Sequence, residues 1–200
     1  INDGDKDIPV FPTPTIGMMG VVKDKSRITT LAFQEENNLI YLIGESKEDI
    51  SSSEYLYAYH HHKNSPAPHF DLEEEYTLQK LVMEIIKDGL VESAHDCADG
   101  GLFIGLMESS LTNEIGFTIS SRKDMRKDAF LFGESQSRVI VSVTEENEAA
   151  LLSIMDKHGQ AYEKLGKTGG NEMVVDGESF GEIHQAKAEY QNALVAYLNN

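Results

Sequence analysis

Cysteine occurs once, at Cys97, so no disulfide can form within the chain, and a secreted scaffold stapled by disulfides is left without support. Long apolar runs are missing too. No stretch nears the ~20 residues that cross a bilayer, and no basic-then-apolar leader opens the sequence. The expectation is a cytoplasmic protein with no membrane partner. Basic residues are scarce, 17 Lys and Arg against 34 Asp and Glu. The formal charge of -17 repels polyanions and argues against nucleic acid as a partner. A nucleotide would also be repelled at long range. Screening over ~8 to 10 Å still lets a local pocket of N–H groups with bound Mg²⁺ accept one, so a phosphate ligand here should depend on metal.

What is present suits a folded domain. With 200 residues, 40% of them apolar and 26% charged, the chain has the length of one large domain, or of one domain plus a fragment of another. Its first residue is Ile1, and residues 1–7 read as a polar turn with no structure of its own, which fits a piece of something longer.

Apolar patterning then gives an order of elements. Residues 11–14 are an extended entry into the apolar run 15–22, expected as a buried strand, with further strands at 28–33 and 39–43. A polar loop follows. Helical spacing of Leu78, Leu81, Val82, Ile85 and Ile86 predicts a helix over 71–87, its first turn acidic as the helix dipole favours and its end marked by Gly89. Strands are expected at 115–120 and 139–143, a helix over 145–158, and a largely helical close over 183–198. Gly166, Lys167 and Thr168 imitate the end of a P-loop, but Ala161 stands where its first glycine belongs and no helix follows. They read as a hairpin with 173–175. Strands interleaved with helices in incomplete alternation predict an α+β (α/β layered) fold with a mixed sheet flanked by helices.

Residues 91–110 carry the chemistry. They read as a short buried strand, a turn bearing Asp96 and Asp99, and a helix entered through Gly100 and Gly101. Carboxylates at a helix mouth can hold a divalent cation, and glycines let a ligand's phosphate reach backbone N–H groups. Asp99 fits equally well as the helix N-cap, and the glycines as a tight turn. Asp96 is not required for capping. His95 reads as a packed hydrogen-bonding residue, and Cys97 has no paired base that would make it a nucleophile. His60, His61, His62 and His69 invite a zinc reading, but adjacent imidazoles do not point together and no cysteine completes a tetrahedral site. An exposed loop is expected there.

Three stretches in this order resemble one family: Pro12-Thr13-Pro14-Thr15-Ile16-Gly17-Met18-Met19-Gly20, then Ser93-Ala94-His95-Asp96-Cys97-Ala98-Asp99-Gly100-Gly101-Leu102, then Leu131-Phe132-Gly133-Glu134-Ser135-Gln136-Ser137-Arg138. They are similar to the C-terminal part of the phosphoribosylformylglycinamidine synthase II family, within the aminoimidazole ribonucleotide synthetase superfamily. The resemblance implies an ATP-dependent amidoligase of purine biosynthesis, in which ATP activates an amide oxygen and glutamine-derived ammonia displaces the phosphate. It implies Mg²⁺ and ATP as cofactors of the whole enzyme, with an ancillary ADP in the second half of a duplicated subunit. Residues 1–45 would be the end of the second N-terminal-type subdomain and 46–200 the second C-terminal-type domain.

Residue by residue, the resemblance implies Asp96 as the metal ligand, and Asp99, Gly100, Gly101, Glu134, Ser135 and Gln136 as ligand-binding positions. Ala98 stands where the family has a serine, which removes one hydroxyl. The family's catalytic histidines lie in segments outside this sequence, so no catalytic residue is expected and the fragment alone should be inactive. The implied partners are the rest of its own synthase chain, a glutaminase subunit, a small bridging subunit and a small-molecule substrate. Two other expectations stand beside this one. One is another superfamily member, such as a selenophosphate synthetase or thiamine monophosphate kinase. The other is a non-catalytic interaction domain whose exposed strand edges, between 15 and 43, give a homodimer.

Overall fold

A computed structural model describes residues 15–198 and the backbone of two short strands ahead of them, β1 (Asn2–Asp3) and β2 (Lys6–Asp7), which pair antiparallel. Residues 1–7, expected as an unstructured turn, therefore carry a two-rung ladder. Pro12, Thr13 and Pro14 of the first motif lie outside the described residues.

The body is one mixed sheet between two helical layers. Its strands are β3 (Leu39–Ile43), β4 (Ser93–Asp96), β5 (Phe117–Ile119), β6 (Val139–Val143), β7 (Tyr162–Thr168), β8 (Glu172–Val175) and β9 (Glu178–Glu182). They lie in the order β4-β6-β3-β7-β5-β8-β9, and every neighbouring pair is antiparallel except β5 and β8. The helices are α1 (Leu72–Lys87), α2 (Gly101–Leu111), α3 (Lys127–Phe132), α4 (Glu148–Lys157) and α5 (Ile183–Leu198).

Why β3 is central can be read from its side chains. All five residues are buried, because alternate positions feed the two faces. Leu39, Tyr41 and Ile43 pack with Leu78, Leu81 and Ile85 of α1 and Leu151 and Met155 of α4. Ile40 and Leu42 pack on the opposite face with Leu102 and Leu106 of α2, Phe130 and Leu131 of α3, and Ile183 at the start of α5. Each such side chain contributes about 1.5–3 kcal/mol by leaving water. β3, whose residues precede position 45, is thus an interior strand of the sheet, third of seven.

Three other expectations are corrected. The run 15–22 is not a buried strand: Ile16, Met18 and Val21 are 82%, 91% and 91% exposed, because an apolar run becomes a strand only where a sheet edge receives it. Residues 28–33 give a single bridge, Thr30 to Ser93, with Phe33 buried against the core. The 166–175 hairpin is absent because β5 inserts between β7 and β8, and β8 turns back on β9 instead. That insertion depends on Gly166, where a Cβ would sit 1.9 Å from the Thr118 carbonyl oxygen.

Candidate ligand cleft

Asp96 ends β4 and Val139 begins β6, and these two residues are paired in the antiparallel register. The ladder runs one bond further, from the Cys97 N–H to the Arg138 carbonyl at 3.0 Å. A turn at 96–99 and a loop at 133–138, distant in sequence, are thereby forced side by side. Between them opens a cleft of about 360 Å³, lined by Asp96, Asp99, Glu134 and Gln136 and closed by Pro68 and Glu75.

The expected site residues fall into two groups. Asp96, Asp99, Glu134 and Gln136 share the cleft. Ser135 is 1% exposed and does not line it, and its hydroxyl has no hydrogen-bond partner. Gly100 and Gly101 open α2 with positive φ of 83° and 69°, a conformation that glycine adopts without penalty. A Cβ at Gly101 would lie 2.5 Å from the Gly133 carbonyl oxygen, so the glycine lets α2 meet the loop directly.

The N-cap reading of Asp99 fails. Gly100 occupies that position, and its N–H is capped from across the cleft by Glu134 Oε1 at 2.8 Å. The same oxygen accepts the Glu54 N–H at 2.7 Å. Asp96 and Asp99 are exposed, with hard oxygen donors at the cleft mouth. Among the described residues no group of three or more His, Cys, Asp or Glu side chains converges on a metal position. A pair of carboxylates still suits Mg²⁺, which keeps several waters and takes its other ligands from a substrate's phosphates.

Two residues given no role by sequence reasoning shape the site. Arg138 is 2% exposed, and its guanidinium donates to the Ser135 carbonyl at 3.0 Å and the Gly133 carbonyl at 2.5 Å, folding the loop around itself. Glu75, read as part of a solvated acidic turn, accepts the Ser137 hydroxyl at 2.8 Å and ties α1 to the same loop. A buried arginine inside a Gly-Glu-Ser-Gln-Ser-Arg run was the available signal for the first. Nothing local marks the second, because the contact spans 62 positions.

Neighbouring candidates resolve as structural. The half-buried His95 places Nε2 2.9 Å from Glu108 Oε2 and Nδ1 3.4 Å from Asp96 Oδ1. Burial pushes the Cys97 thiol up to about 11, with the Arg138 charge offsetting only part of it, so it is no nucleophile at neutral pH. In the histidine-rich loop His60 packs edge-on against Tyr55 and Tyr59, at 4.7 and 5.0 Å between ring centres, and His69 lies 3.7 Å from Glu74.

With this geometry in place, the likenesses to known proteins fall into line. The family model described as AIR synthase related protein, C-terminal domain, matches residues 14–176. Phosphoribosylformylglycinamidine synthase subunit PurL from Caldanaerobacter subterraneus is 38% identical over 175 residues, 88% of this chain and 24% of that one. The subunit of the same name from a Nostoc species is 35% identical over 202 residues, covering 95% of this chain and 26% of its own. The chain thus spans about a quarter of the length of the curated relatives it matches. Among solved structures, Thermotoga maritima PurL complexed with FGAR superposes with a TM-score of 0.69 at 17% identity, over 82% of this chain and 30% of that one. Thiamine-monophosphate kinase from Stenotrophomonas maltophilia gives 0.54 at 13% identity, over 78% and 55%. The chain belongs to the AIR synthase related family, as a C-terminal domain of the kind found in PurL.

Proposed function

We propose that this chain is the rear portion of a PurL-type synthase, the ATP-dependent ligase that converts formylglycinamide ribonucleotide and glutamine-derived ammonia to formylglycinamidine ribonucleotide. Its own cleft serves as an ancillary site for a nucleotide's phosphates with Mg²⁺. The observation that carries this reading is the convergence of the 96–101 and 134–138 motifs on one cleft at the paired ends of β4 and β6. Relatives named PurL over most of the chain support it, as do the Thermotoga maritima PurL structures complexed with ATP and with ADP.

In this reading Asp96 would hold Mg²⁺, with Asp99 beside it, and the turn at Gly100 and Gly101, free of side chains, would let phosphate oxygens approach. Gln136 supplies an amide to the ligand, while Glu134 and Ser135 shape the wall behind it. Bound Mg²⁺ would shield phosphate charge, which an acidic chain requires before an anion can settle. In this reading turnover belongs to the whole enzyme, and the fragment alone is inactive. Glutaminase and small bridging subunits join that assembly in the cytoplasm, a reading supported by the PurLQS structure from Thermotoga maritima.

Calorimetric titration with ADP tests the ancillary site. Binding should require Mg²⁺ and weaken at least about tenfold in Asp96→Asn, since removing a ligand's charge costs of the order of 1.4 kcal/mol or more. Equal affinity without metal, or in the variant, would remove the cleft from the proposal.

A second reading, an interaction domain, is favoured by one observation. Apolar residues between 16 and 22 stand free, with Met18 and Met19 91% and 103% exposed. The two readings are compatible, the exposed run being where the rest of the synthase would dock.

A further inference from the structure

The last helix outruns the body it packs on. In the first turn of α5, Ile183 is buried with Leu102 and Leu106 of α2, and Ala186 packs beside it. Residues 188–198 are then exposed without exception. At about 100° per residue, Tyr190, Leu194 and Tyr197 continue the same face that Ile183 and Ala186 present to the core. Their spacing of four and then three is that of a helix–helix seam. Val195 and Leu198 widen the stripe to an arc of about 160°, and no residue from 190 to 198 is charged. The packing face of α5 thus runs on past the body into solvent.

Beside this overhang lies a hollow of about 560 Å³, lined by Leu31, Leu111, Thr112 and Tyr190. Its charged groups are already answered, His95 lying 2.9 Å from Glu108 and Lys187 2.7 Å from Glu114. The hollow suits an uncharged, apolar guest.

We infer that the guest is a second copy of this chain, whose own overhang lies antiparallel along this one in an isologous pair. With the two-fold axis at Leu194, Tyr190 of one copy faces Leu198 of the other, about 6 Å from the axis. The tip of each helix then reaches the rim of the other's hollow. Charge selects the direction. A parallel pair would set two bodies of charge -17 side by side and Glu189 against Glu189. The antiparallel pair holds the bodies at opposite ends of the seam, where screening over ~8 to 10 Å acts between them, and lets the helix dipoles attract. The five apolar side chains are 56–80% exposed. At roughly 100 Å² each they offer about 1,000 Å² to a pair, which is where specific interfaces begin. The dimer is accordingly weak. It stands on α5 and does not rest on the synthase reading.

Sedimentation equilibrium of the full chain tests the pair, in a Met18→Ser, Met19→Ser background that silences the other exposed run. A monomer–dimer equilibrium should appear at high micromolar concentration and tighten with salt. Leu194→Glu should weaken it at least about tenfold, since the new charge meets its own copy on the axis. Cysteine cross-linking reads the direction without adding charge. Under copper–phenanthroline oxidation Leu194→Cys should form a disulfide dimer, and Tyr190→Cys should cross-link with Leu198→Cys rather than with itself. Native Cys97, its pKa pushed up to about 11, does not compete. A monomer at every concentration, a dimer indifferent to Leu194→Glu, or Tyr190→Cys cross-linking with itself as readily as with Leu198→Cys would each overturn the pair.

Discussion

The thiol of Cys97 lines the cleft between two carboxylates in sequence, yet its chemistry is set by burial rather than by them. With its pKa pushed up to about 11, alkylation by iodoacetamide near pH 8 should run roughly 100-fold slower than for a free cysteine, as followed by mass spectrometry. An ordinary rate would place the thiol in solvent. Arg138 gives a second prediction. Replacing it with Met leaves the Gly133 and Ser135 carbonyls without their donor, so stability should fall by about 2–4 kcal/mol in urea titration. A loss under about 0.5 kcal/mol would mean that the loop holds itself. At this scale Asp96 was singled out by residue type and the Glu134 motif by resemblance, and the fold brings the two to one cleft. Glu134's capping bond to Gly100 was not legible, because it joins positions 34 apart.

At the scale of elements, α1 and the β7–β5 pair are the sensitive places. Asp71 caps α1 by accepting the Glu73 and Glu74 N–H groups. The Glu74 bond foremost holds its carboxyl below the usual range. A depressed acid stabilises above its unfolded value, about 3.9, and that contribution is lost as pH falls through the lower folded value. Asp71→Ala should therefore lower the urea midpoint at pH 7, and the gap from the native chain should close on acidification. A gap that stays constant with pH would show that the charge is not involved. Gly166→Ala should cost upwards of about 3 kcal/mol, since the new Cβ meets the Thr118 backbone and the strands must part. An unchanged midpoint would contradict the close crossing. The helices at 72–87, 148–157 and 183–198 were legible from apolar spacing and end signals, as was β3 from its unbroken buried run. The β7–β8 hairpin was misread because proximity in sequence says nothing of a third strand that enters from residues 117–119.

For the whole molecule, apolar surface and charge pull in opposite directions. Ile16, Met18, Met19 and Val21 are exposed at one end of the chain, and Tyr190, Leu194 and Leu198 of α5 at the other. A formal charge of -17 opposes self-association. If the exposed run docks a partner, sedimentation of the isolated chain should show association that strengthens with salt and weakens in a Met18→Ser, Met19→Ser double variant. A monomer at every salt concentration would count against docking there. Among the described residues no helix is long and apolar enough to cross a membrane. The partners of β3 were not legible in the sequence, because it pairs by register with β6 and β7, about 100 or more positions away.

The most direct test is ammonia-dependent ADP release from formylglycinamide ribonucleotide and Mg-ATP, measured on this chain alone and again with the preceding segments of a full-length relative fused ahead of it. The account predicts no release from the chain alone and turnover in the fusion. Release by the isolated chain, or none from a folded fusion, would contradict it.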